Sequence, residues 1–294
     1  MGRKKALIIG GDKRQYYMAE YLAERGYEAA AYGEVFAEEM PGVQCLRTPK
    51  EVIQRLKETD SSVILPVPVT TDRESIKGTG GKLRCQELLP VFGQQKKIYG
   101  GSLPENMRKQ GEIKQGQYVD FMKSEQVALF NAVATAEGSI AEACGLGAVQ
   151  LTGSSCLVAG YGRCGEALAH KLKQFGAQVT VMERSRRQRA RAQTFGMQAC
   201  DMQTEQKQFR QYDYIFNTVP ALILTEEYLT QCKKEAVIID IASAPGGVDY
   251  EAAGRLGIQA KLCPGLPGKY APKTAGEILA EAVIESEREQ YEKV

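Results

Sequence analysis

The chain has 294 residues, of which 43% are hydrophobic and 25% are charged, as is usual for a globular protein. This length favours two domains over one, and each half is long enough to bury a core of its own. The net charge of +2 gives no electrostatic reason to expect nucleic acid or a membrane surface as a partner. The sequence contains no apolar run typical of a signal peptide or a membrane span, so we expect a cytoplasmic protein.

Cysteine and histidine usage limits the chemistry. Eight cysteines are scattered without any C-x-x-C pair, which indicates reduced thiols rather than disulfides. The single histidine, His170, falls inside a predicted helix. With one imidazole and no cysteine pair at ligand spacing, we predict no metal site and no Ser-His-Asp mechanism.

The first half alternates short apolar runs with segments of helical spacing, which predicts a parallel sheet with helices on both faces. The predicted strands are 5–11, 28–32, 62–67 and 97–100. The predicted helices are 16–25, 49–59 and 83–92. Residues 105–125 are polar and poorly periodic, and we expect them to connect two domains.

The second half begins with a strongly helical segment, 124–146, which we interpret as a bridge between two lobes. Strands are predicted at 155–159, 178–183, 197–199, 214–218, 236–241 and 259–262, with helices between them. A final helix, 273–292, is expected to cross back to the first lobe.

The strongest motif is a G-x-G-x-x-G sequence that follows an apolar strand and opens a helix. In this context Gly160 allows the tight turn, Gly162 lets the backbone approach a pyrophosphate, and Gly165 lets the helix pack closely on the strand. The helix start adds free N–H groups and the positive end of a dipole. We therefore expect a dinucleotide to contact the residues of this motif, Gly160, Tyr161, Gly162, Arg163, Cys164 and Gly165.

Together these patterns predict an α/β fold of two Rossmann-like lobes, each a parallel sheet with helices on both faces, and a C-terminal helix that crosses back to lobe one. We assign residues 1–125 to an N-terminal substrate or partner lobe that is flavodoxin-like or Rossmann-like. Residues 126–272 form an NAD(P)-binding domain with its leading bridge helix, and residues 273–294 form the crossing helix.

Two features near the second strand of that domain bear on the choice of cofactor. Glu183 lies where an acidic residue holds the ribose 2′-hydroxyl of NAD. Arg184 and Arg186, on either side of Ser185, offer charge-assisted hydrogen bonds to the 2′-phosphate of NADP. The pattern leaves both cofactors open; we expect NADP, with NAD as the alternative.

Further cofactor contacts are expected where two later strands end, because ligands gather outside the carboxyl ends of strands in an open parallel sheet. The residues in these positions are Asn217, Thr218, Val219, Pro220, Asp240, Ala242 and Ser243. The turn at 245–247, Pro-Gly-Gly, is a candidate wall for the nicotinamide ring.

Polar and cationic residues in the first lobe and at the final helix are candidates for a second ligand surface. Arg14 follows the first strand, and Thr70 and Thr71 follow the third. Lys273 and Thr274 begin the final helix, where backbone N–H groups favour an anion. These five are our catalytic or substrate-binding candidates, although each taken alone also has a structural interpretation.

The motifs together resemble the family of bacterial dipicolinate synthase A subunits, over most of the chain. The segments that carry the resemblance are IIGGDKRQ, ILPVPVTTD, NAVATAEGSIAEA, VAGYGRCGEALA, FNTVPALILT, IDIASAPGGVD and CPGLPGKYAPKTAGEI. The second half is also similar to alanine dehydrogenase and related two-lobed dehydrogenases, a similarity that accounts for the lobes but selects no substrate.

The resemblance implies NAD(P)-dependent oxidation of dihydrodipicolinate, a lysine-pathway intermediate, to pyridine-2,6-dicarboxylate during sporulation. It implies NADP as cofactor, a small dicarboxylate substrate, a partner in the form of a flavoprotein-like B subunit, and a place in the cytoplasm of the mother cell. A homo-oligomer is also compatible with it. Glu183 departs from the small residue expected at its position in a site that prefers NADP.

Two other functions remain open on the sequence alone. The chain can be a non-catalytic nucleotide-binding scaffold for the B subunit, which the lack of a free histidine favours. It can also be an amino-acid or hydroxy-acid dehydrogenase. The hydroxy-acid enzymes generally use a histidine base, and the only histidine here lies in a predicted helix.

Overall fold

A computed structural model of the chain describes residues 3–291, except 94, 96, 104, 111–112, 115–116 and 203–205. The chain divides into two compact units. Unit 1 comprises the residues up to Ala128 together with those from Ala271 onward, and unit 2 comprises Leu129–Tyr270. In the described part of the chain, no helix is both long enough and apolar enough to cross a bilayer.

Unit 1 is built on a parallel six-stranded sheet with the strand order β3-β2-β1-β4-β5-β6. Its strands are β1 Lys5–Ile9, β2 Glu28–Tyr32, β3 Val43–Cys45, β4 Ser62–Ile64, β5 Lys97–Gly100 and β6 Tyr118–Asp120. Its helices are α1 Lys13–Glu24, α2 Pro49–Glu58, α3 Cys85–Phe92 and α4 Glu105–Gln110, with short 3-10 helices at Glu34–Phe36 and Phe121–Lys123. The order reverses between β1 and β4, the position at which open α/β sheets commonly bind ligands.

Unit 2 repeats this architecture with the order β12-β11-β10-β7-β8-β9, again parallel throughout. Its strands are β7 Ser155–Ala159, β8 Gln178–Met182, β9 Gln198–Cys200, β10 Tyr214–Asn217, β11 Val237–Asp240 and β12 Gln259–Leu262. Its helices are α6 Arg163–Gln174, α7 Arg186–Thr194, α8 Glu226–Leu229, α9 Tyr250–Leu256 and α10 Leu266–Tyr270, with a 3-10 helix at Gln206–Gln211. The boundary between the units falls within the long helix α5, Glu125–Leu146.

The C-terminal helix α11, Pro272–Tyr291, belongs to unit 1 and packs on α1. Met18 and Leu22 of α1 and Leu279 and Val283 of α11 are buried in the same apolar cluster as the central strands. The expected fold, two Rossmann-like α/β lobes with a C-terminal helix that returns to the first, is therefore confirmed.

The structure differs from the sequence-based expectation at the two edges of the first sheet. The strands β3 and β6 were not predicted, and residues 105–125, expected to form only a connection, contain α4 and β6. Both strands are three residues long and lie at sheet edges. An edge strand has one neighbouring strand instead of two, so its sequence need not be a continuous apolar run. They are too short for a periodic pattern to identify.

One buried carboxylate holds α11 against the amino-terminal edge of the unit 1 sheet. Glu287, 4% exposed, accepts hydrogen bonds from the Tyr27 hydroxyl at 2.8 Å and the Ser62 hydroxyl at 2.6 Å. Its Oε2 also lies 3.2 Å from the Nζ of Lys4. Burial, together with the adjacent Glu287 carboxylate, raises the pKa of Tyr27, so its hydroxyl stays protonated and keeps donating.

Replacing Glu287 should lower the free energy of unfolding more than replacing a surface residue of the same helix. We expect Glu287→Ala to lower the free energy of unfolding by about 2–3 kcal/mol, because hydrogen bonds to a charged group are lost and buried hydroxyls are left unpaired. Glu285→Ala, a partly exposed carboxylate of α11, should change it by less than about 0.5 kcal/mol. Urea denaturation compares the two; equal effects would contradict the role of Glu287.

Candidate functional site

Glycines shape the turn between β7 and α6 because nothing larger fits. Gly160 has φ +90°, and a Cβ atom there would lie 2.4 Å from the Oγ1 of Thr218. A Cβ atom at Gly165 would lie 2.1 Å from the carbonyl oxygen of Gly160. The first and third glycines of the motif therefore set the turn and the close approach of helix to strand, as the sequence predicted.

Gly162 differs from the other two because the space beside it is open. It caps α6 with extended backbone angles, φ −82° and ψ −166°, and a Cβ atom there would meet none of the described residues within 4 Å beyond its neighbours. It has no side chain to accept from the first N–H groups of the helix. The next residue, Arg163, is exposed, and burial raises the pKa of the half-buried Cys164, so its thiol stays neutral. This opening at a helix start fits a pyrophosphate.

The carboxylate of Glu183 joins the end of β8 to the glycine turn. One oxygen accepts from the Tyr161 N–H at 2.9 Å and the other from the Ser185 N–H at 2.9 Å. The side chain is half-buried. Glu183 is thus held beside the turn, at the position from which an acidic side chain reaches a ribose hydroxyl.

The arginines after Glu183 divide into two kinds. Arg189 donates to the carbonyl oxygens of Glu183 and Arg184 at 2.6 and 2.8 Å, so it supports the loop. Arg184 and Arg186 are exposed, and the Ser185 hydroxyl caps α7. The two exposed guanidinium groups therefore remain candidates for a 2′-phosphate.

A buried polar pair organises the two loops that follow β10 and β11. Asp240 is 0% exposed and accepts from the Asn217 side chain at 2.8 Å, from the backbone N–H groups of Ala242 and Gly247 at 3.0 and 2.7 Å, and from the Tyr250 hydroxyl at 2.8 Å. Asn217 also bonds to both backbone groups of Val219, at 3.1 Å each.

The sequence singled out Asn217 and Asp240 as cofactor contacts. Their side-chain bonds go to the protein itself, so they shape the site through the loops they hold. The predicted residues in those loops are placed as follows: Ala242 is buried, Thr218 and Val219 are half-buried, and Pro220 and Ser243 are exposed. The Thr218 hydroxyl donates to the Ala159 carbonyl at 2.9 Å, which ties the end of β10 to the glycine turn.

The single histidine takes part in packing. His170 lies on α6, with its Nε2 3.3 Å from the Tyr161 hydroxyl and its ring edge-to-face with Phe195 at 4.6 Å between centroids. Across the residues that the structure describes, no group of three or more His, Cys, Asp or Glu side chains forms a potential metal site.

In unit 1, Arg14 is buried at the start of α1. Its Nε and Nη2 donate to the two carboxylate oxygens of Asp12 at 2.9 and 2.8 Å, and Nη2 also donates to the Val67 carbonyl at 2.7 Å. Lys77, which was not among the residues predicted from the sequence, places its Nζ 3.5 Å from the same carboxylate. Because Lys77 is 65 residues from Asp12, no local spacing reveals this cluster.

The remaining candidates lie in the loop after Val67 or at the start of α11. The Thr70 hydroxyl donates to Asp72 at 2.8 Å, and Thr71 is exposed. Lys273 and Thr274 are exposed in the first turn of α11. A Cβ atom at Gly276 would lie only 2.3 Å from the Arg14 carbonyl oxygen, so the first turns of α11 and α1 are in contact.

Both units match known protein families. Residues 5–122 match the family model for the N-terminal domain of the dipicolinate synthase A subunit. Residues 127–252 match the model for the NAD-binding domain of D-isomer specific 2-hydroxyacid dehydrogenases. Unit 2 is therefore a nicotinamide-nucleotide-binding domain of the dehydrogenase type.

Similar full-length proteins extend the match to almost the whole chain. The dipicolinate synthase A subunit of Bacillus subtilis (strain 168) is 30% identical over 289 residues, 94% of this chain and 93% of the relative. The crystal structure of the dipicolinate synthase A subunit from Bacillus halodurans has a TM-score of 0.85 at 29% identity, covering 97% of this chain and 98% of that one. A transhydrogenase from Sinorhizobium meliloti, at 12% identity and TM-score 0.65 over 95% and 92% of the two chains, shares the fold. The chain belongs to the family of dipicolinate synthase A subunits.

Proposed function

We propose that this chain is the A subunit of a dipicolinate synthase and catalyses the NAD(P)-dependent oxidation of dihydrodipicolinate to pyridine-2,6-dicarboxylate. The observation that carries the proposal is the open helix start at Gly162, flanked by Glu183 and exposed arginines, in a chain of this family. A nicotinamide dinucleotide fits this donor set, since the turn would meet the phosphates, and Glu183 would meet a ribose 2′-hydroxyl or Arg184 a 2′-phosphate.

Unit 2 supplies binding and orientation. The helix start and the backbone of the glycine turn would hold the pyrophosphate, and the loops organised by Asn217 and Asp240 would flank the nicotinamide end. When bound, the nicotinamide supplies the acceptor for the hydride that leaves the dihydro ring. Aromatisation also releases a proton, and His170, engaged by Tyr161 and Phe195, is not its acceptor; a carboxylate, a lysine or water takes it.

Unit 1 is the proposed surface for the dicarboxylate. The product carries two carboxylates, which cations and hydroxyls recognise through charge-assisted hydrogen bonds. Arg14, Lys273 and Thr274 belong to two helices whose first turns touch, and the Val67 carbonyl ties Arg14 to the loop of Thr70 and Thr71. A lysine at a helix start adds its charge to free N–H groups, which suits a carboxylate.

We further propose that the chain works with a flavoprotein-like B subunit in the cytoplasm of the mother cell of a sporulating bacterium. The decisive experiment incubates the chain, with and without that partner, with the cyclic lysine-pathway intermediate and NADP or NAD. Formation of dipicolinate and reduced cofactor supports the proposal. If no combination forms reduced cofactor, the result favours the alternative in which the chain is a non-catalytic scaffold.

The first prediction from the proposed function concerns the glycine turn. Gly162→Asp should abolish dinucleotide binding, because a carboxylate would stand where the pyrophosphate sits. The fold should remain intact, because the space beside Gly162 is open. Isothermal calorimetry with NADPH and NADH measures binding and circular dichroism checks folding. Parent-like affinity in the folded variant would refute the assignment.

The second prediction concerns the choice of cofactor. Arg184→Ala should weaken NADPH binding about tenfold, roughly 1.4 kcal/mol, because one charge-assisted hydrogen bond to the 2′-phosphate is lost at an exposed site. NADH affinity should hardly change, and Arg210→Ala, an exposed arginine of unit 2, should alter neither. If the parent protein binds NADH more tightly than NADPH, Glu183 is holding a ribose hydroxyl and the expectation of NADP is wrong.

The third prediction concerns the substrate. Lys273→Ala should weaken dipicolinate binding to the cofactor-saturated protein about tenfold, the loss of one hydrogen bond to a charged group. Lys57→Ala, an exposed lysine at the end of α2, serves as the control and should leave binding unchanged. Arg14→Ala should weaken dipicolinate further, and its unfolding is measured alongside because Arg14 also bonds to Asp12 and Val67. Unchanged affinity in both Arg14→Ala and Lys273→Ala would reject this surface.

A further inference from the structure

The two units begin with the same strand-helix-strand segment, in matching register. Strand β1 starts at Lys5 and β7 at Ser155, a difference of 150. The helices that follow, Lys13–Glu24 and Arg163–Gln174, keep this offset, and so do the second strands, Glu28–Tyr32 and Gln178–Met182. Each residue from 5 to 33 therefore has a structural counterpart numbered 150 higher.

At the helix start, the counterpart of the open Gly162 is Asp12. Both residues cap their helix with extended backbone angles. The Asp12 carboxylate accepts from the Arg14 backbone N–H at 3.1 Å and from the Arg14 guanidinium at 2.9 and 2.8 Å. Lys77 Nζ lies 3.5 Å away. A helix N-terminus, a guanidinium and an ammonium thus surround an anion that belongs to the protein.

The charge of Asp12 is secure at neutral pH. Burial opposes its ionisation, but the hydrogen bonds and positive charge of Arg14, with that of Lys77, outweigh burial and lower the pKa of Asp12 to about 2. The carboxylate therefore remains an anion at physiological pH. It occupies the position in unit 1 that corresponds to the proposed phosphate site of unit 2.

The ribose position is changed as well. The counterpart of Glu183 is Gly33, with φ +151°, which offers no carboxylate to a 2′-hydroxyl. The Gly11 N–H, counterpart of the Tyr161 N–H that binds Glu183, donates to the Lys77 carbonyl at 2.6 Å. The Glu34 N–H donates to the Gly78 carbonyl at 2.8 Å.

The loop that supplies these carbonyls lies tightly against the turn. A Cβ atom at Gly78 would lie 1.9 Å from the Gly11 carbonyl oxygen, and one at Gly10 would lie 2.3 Å from the Lys77 carbonyl oxygen. Backbone in contact at these distances leaves no room for a ribose between turn and loop, whereas the phosphate position at the start of α1 is occupied by the Asp12 side chain.

We propose that Asp12 is a specificity-determining residue: its carboxylate occupies the phosphate position of unit 1 and keeps phosphate-bearing ligands away from the start of α1. The chain consequently binds one dinucleotide, in unit 2. The inference concerns unit 1 alone and does not depend on the reaction proposed above.

The first test is stoichiometry. Calorimetry with NADPH and NADH should give one site per chain for the parent protein and none for Gly162→Asp. A parent protein that binds two dinucleotides per chain would place a second nucleotide site in unit 1 and overturn the proposal.

The second test removes the Asp12 carboxylate in the Gly162→Asp background, in which unit 2 should bind no dinucleotide. The probe is inorganic pyrophosphate. Asp12→Gly leaves Arg14, Lys77 and the helix start without their anion, so pyrophosphate should bind at least about tenfold more tightly than to the Gly162→Asp protein. Asp12→Asn removes the charge but keeps a capping side chain, and should show the same gain if Asp12→Gly folds poorly. Asp60→Gly, an exposed aspartate of unit 1, should show none.

Pyrophosphate affinity that stays at the level of the Gly162→Asp protein in folded Asp12→Gly and Asp12→Asn variants would overturn the proposal. An equal gain in Asp60→Gly would also overturn it, since the gain would then reflect net charge. Each pyrophosphate comparison is made within the Gly162→Asp background, so it tests the role of Asp12 even if the parent protein binds no dinucleotide. Absence of dinucleotide binding by the parent protein would instead contradict the proposed function.

Discussion

Free N–H groups at the start of a helix require a negatively charged or polar partner. Each unit has such a helix start at the carboxyl edge of its parallel sheet, so each must satisfy this requirement. In unit 1 the protein meets it internally, with Asp12 bonded to Arg14. In unit 2 the corresponding residue is Gly162, which has no side chain, and the requirement is left to a ligand. One scaffold thus provides a closed and an open version of the same anion site, and the difference is set by the capping residue and the loop beside it.

The carboxylate of Asp240, unlike that of Asp12, is fully buried and lies at the end of a strand rather than at a helix start. An ionised group without solvent is costly to bury unless donors surround it, and four donors do so here. Two of them are backbone N–H groups of the loop after β11, and the Asn217 side chain links this carboxylate to the loop after β10. These hydrogen bonds therefore fix the course of the loops after β10 and β11.

Much of the fold could be predicted because its signals are local. The strand before Gly160 and the helix after it identified the turn, and the repeated apolar runs identified the parallel sheets. The short edge strands β3 and β6 escaped because three residues carry no period. Side-chain partnerships were harder: Asn217 and Asp240 were predicted as cofactor contacts from their position at strand ends, and only the structure shows that they bond to each other and to the loops that follow. Lys77 was missed because only the folded sheet brings it to Asp12.

The return of α11 to unit 1 affects the order in which the chain can fold during synthesis. Unit 2 is continuous in sequence and has all its residues once Tyr270 has emerged from the ribosome. Unit 1 is interrupted: the apolar cluster around β1 needs Leu279 and Val283, and the hydroxyls of Tyr27 and Ser62 wait for Glu287. Domains usually fold in the order of their synthesis. Here the lobe that is translated first is completed last, because α11 must be synthesised before it can cover the apolar face of unit 1.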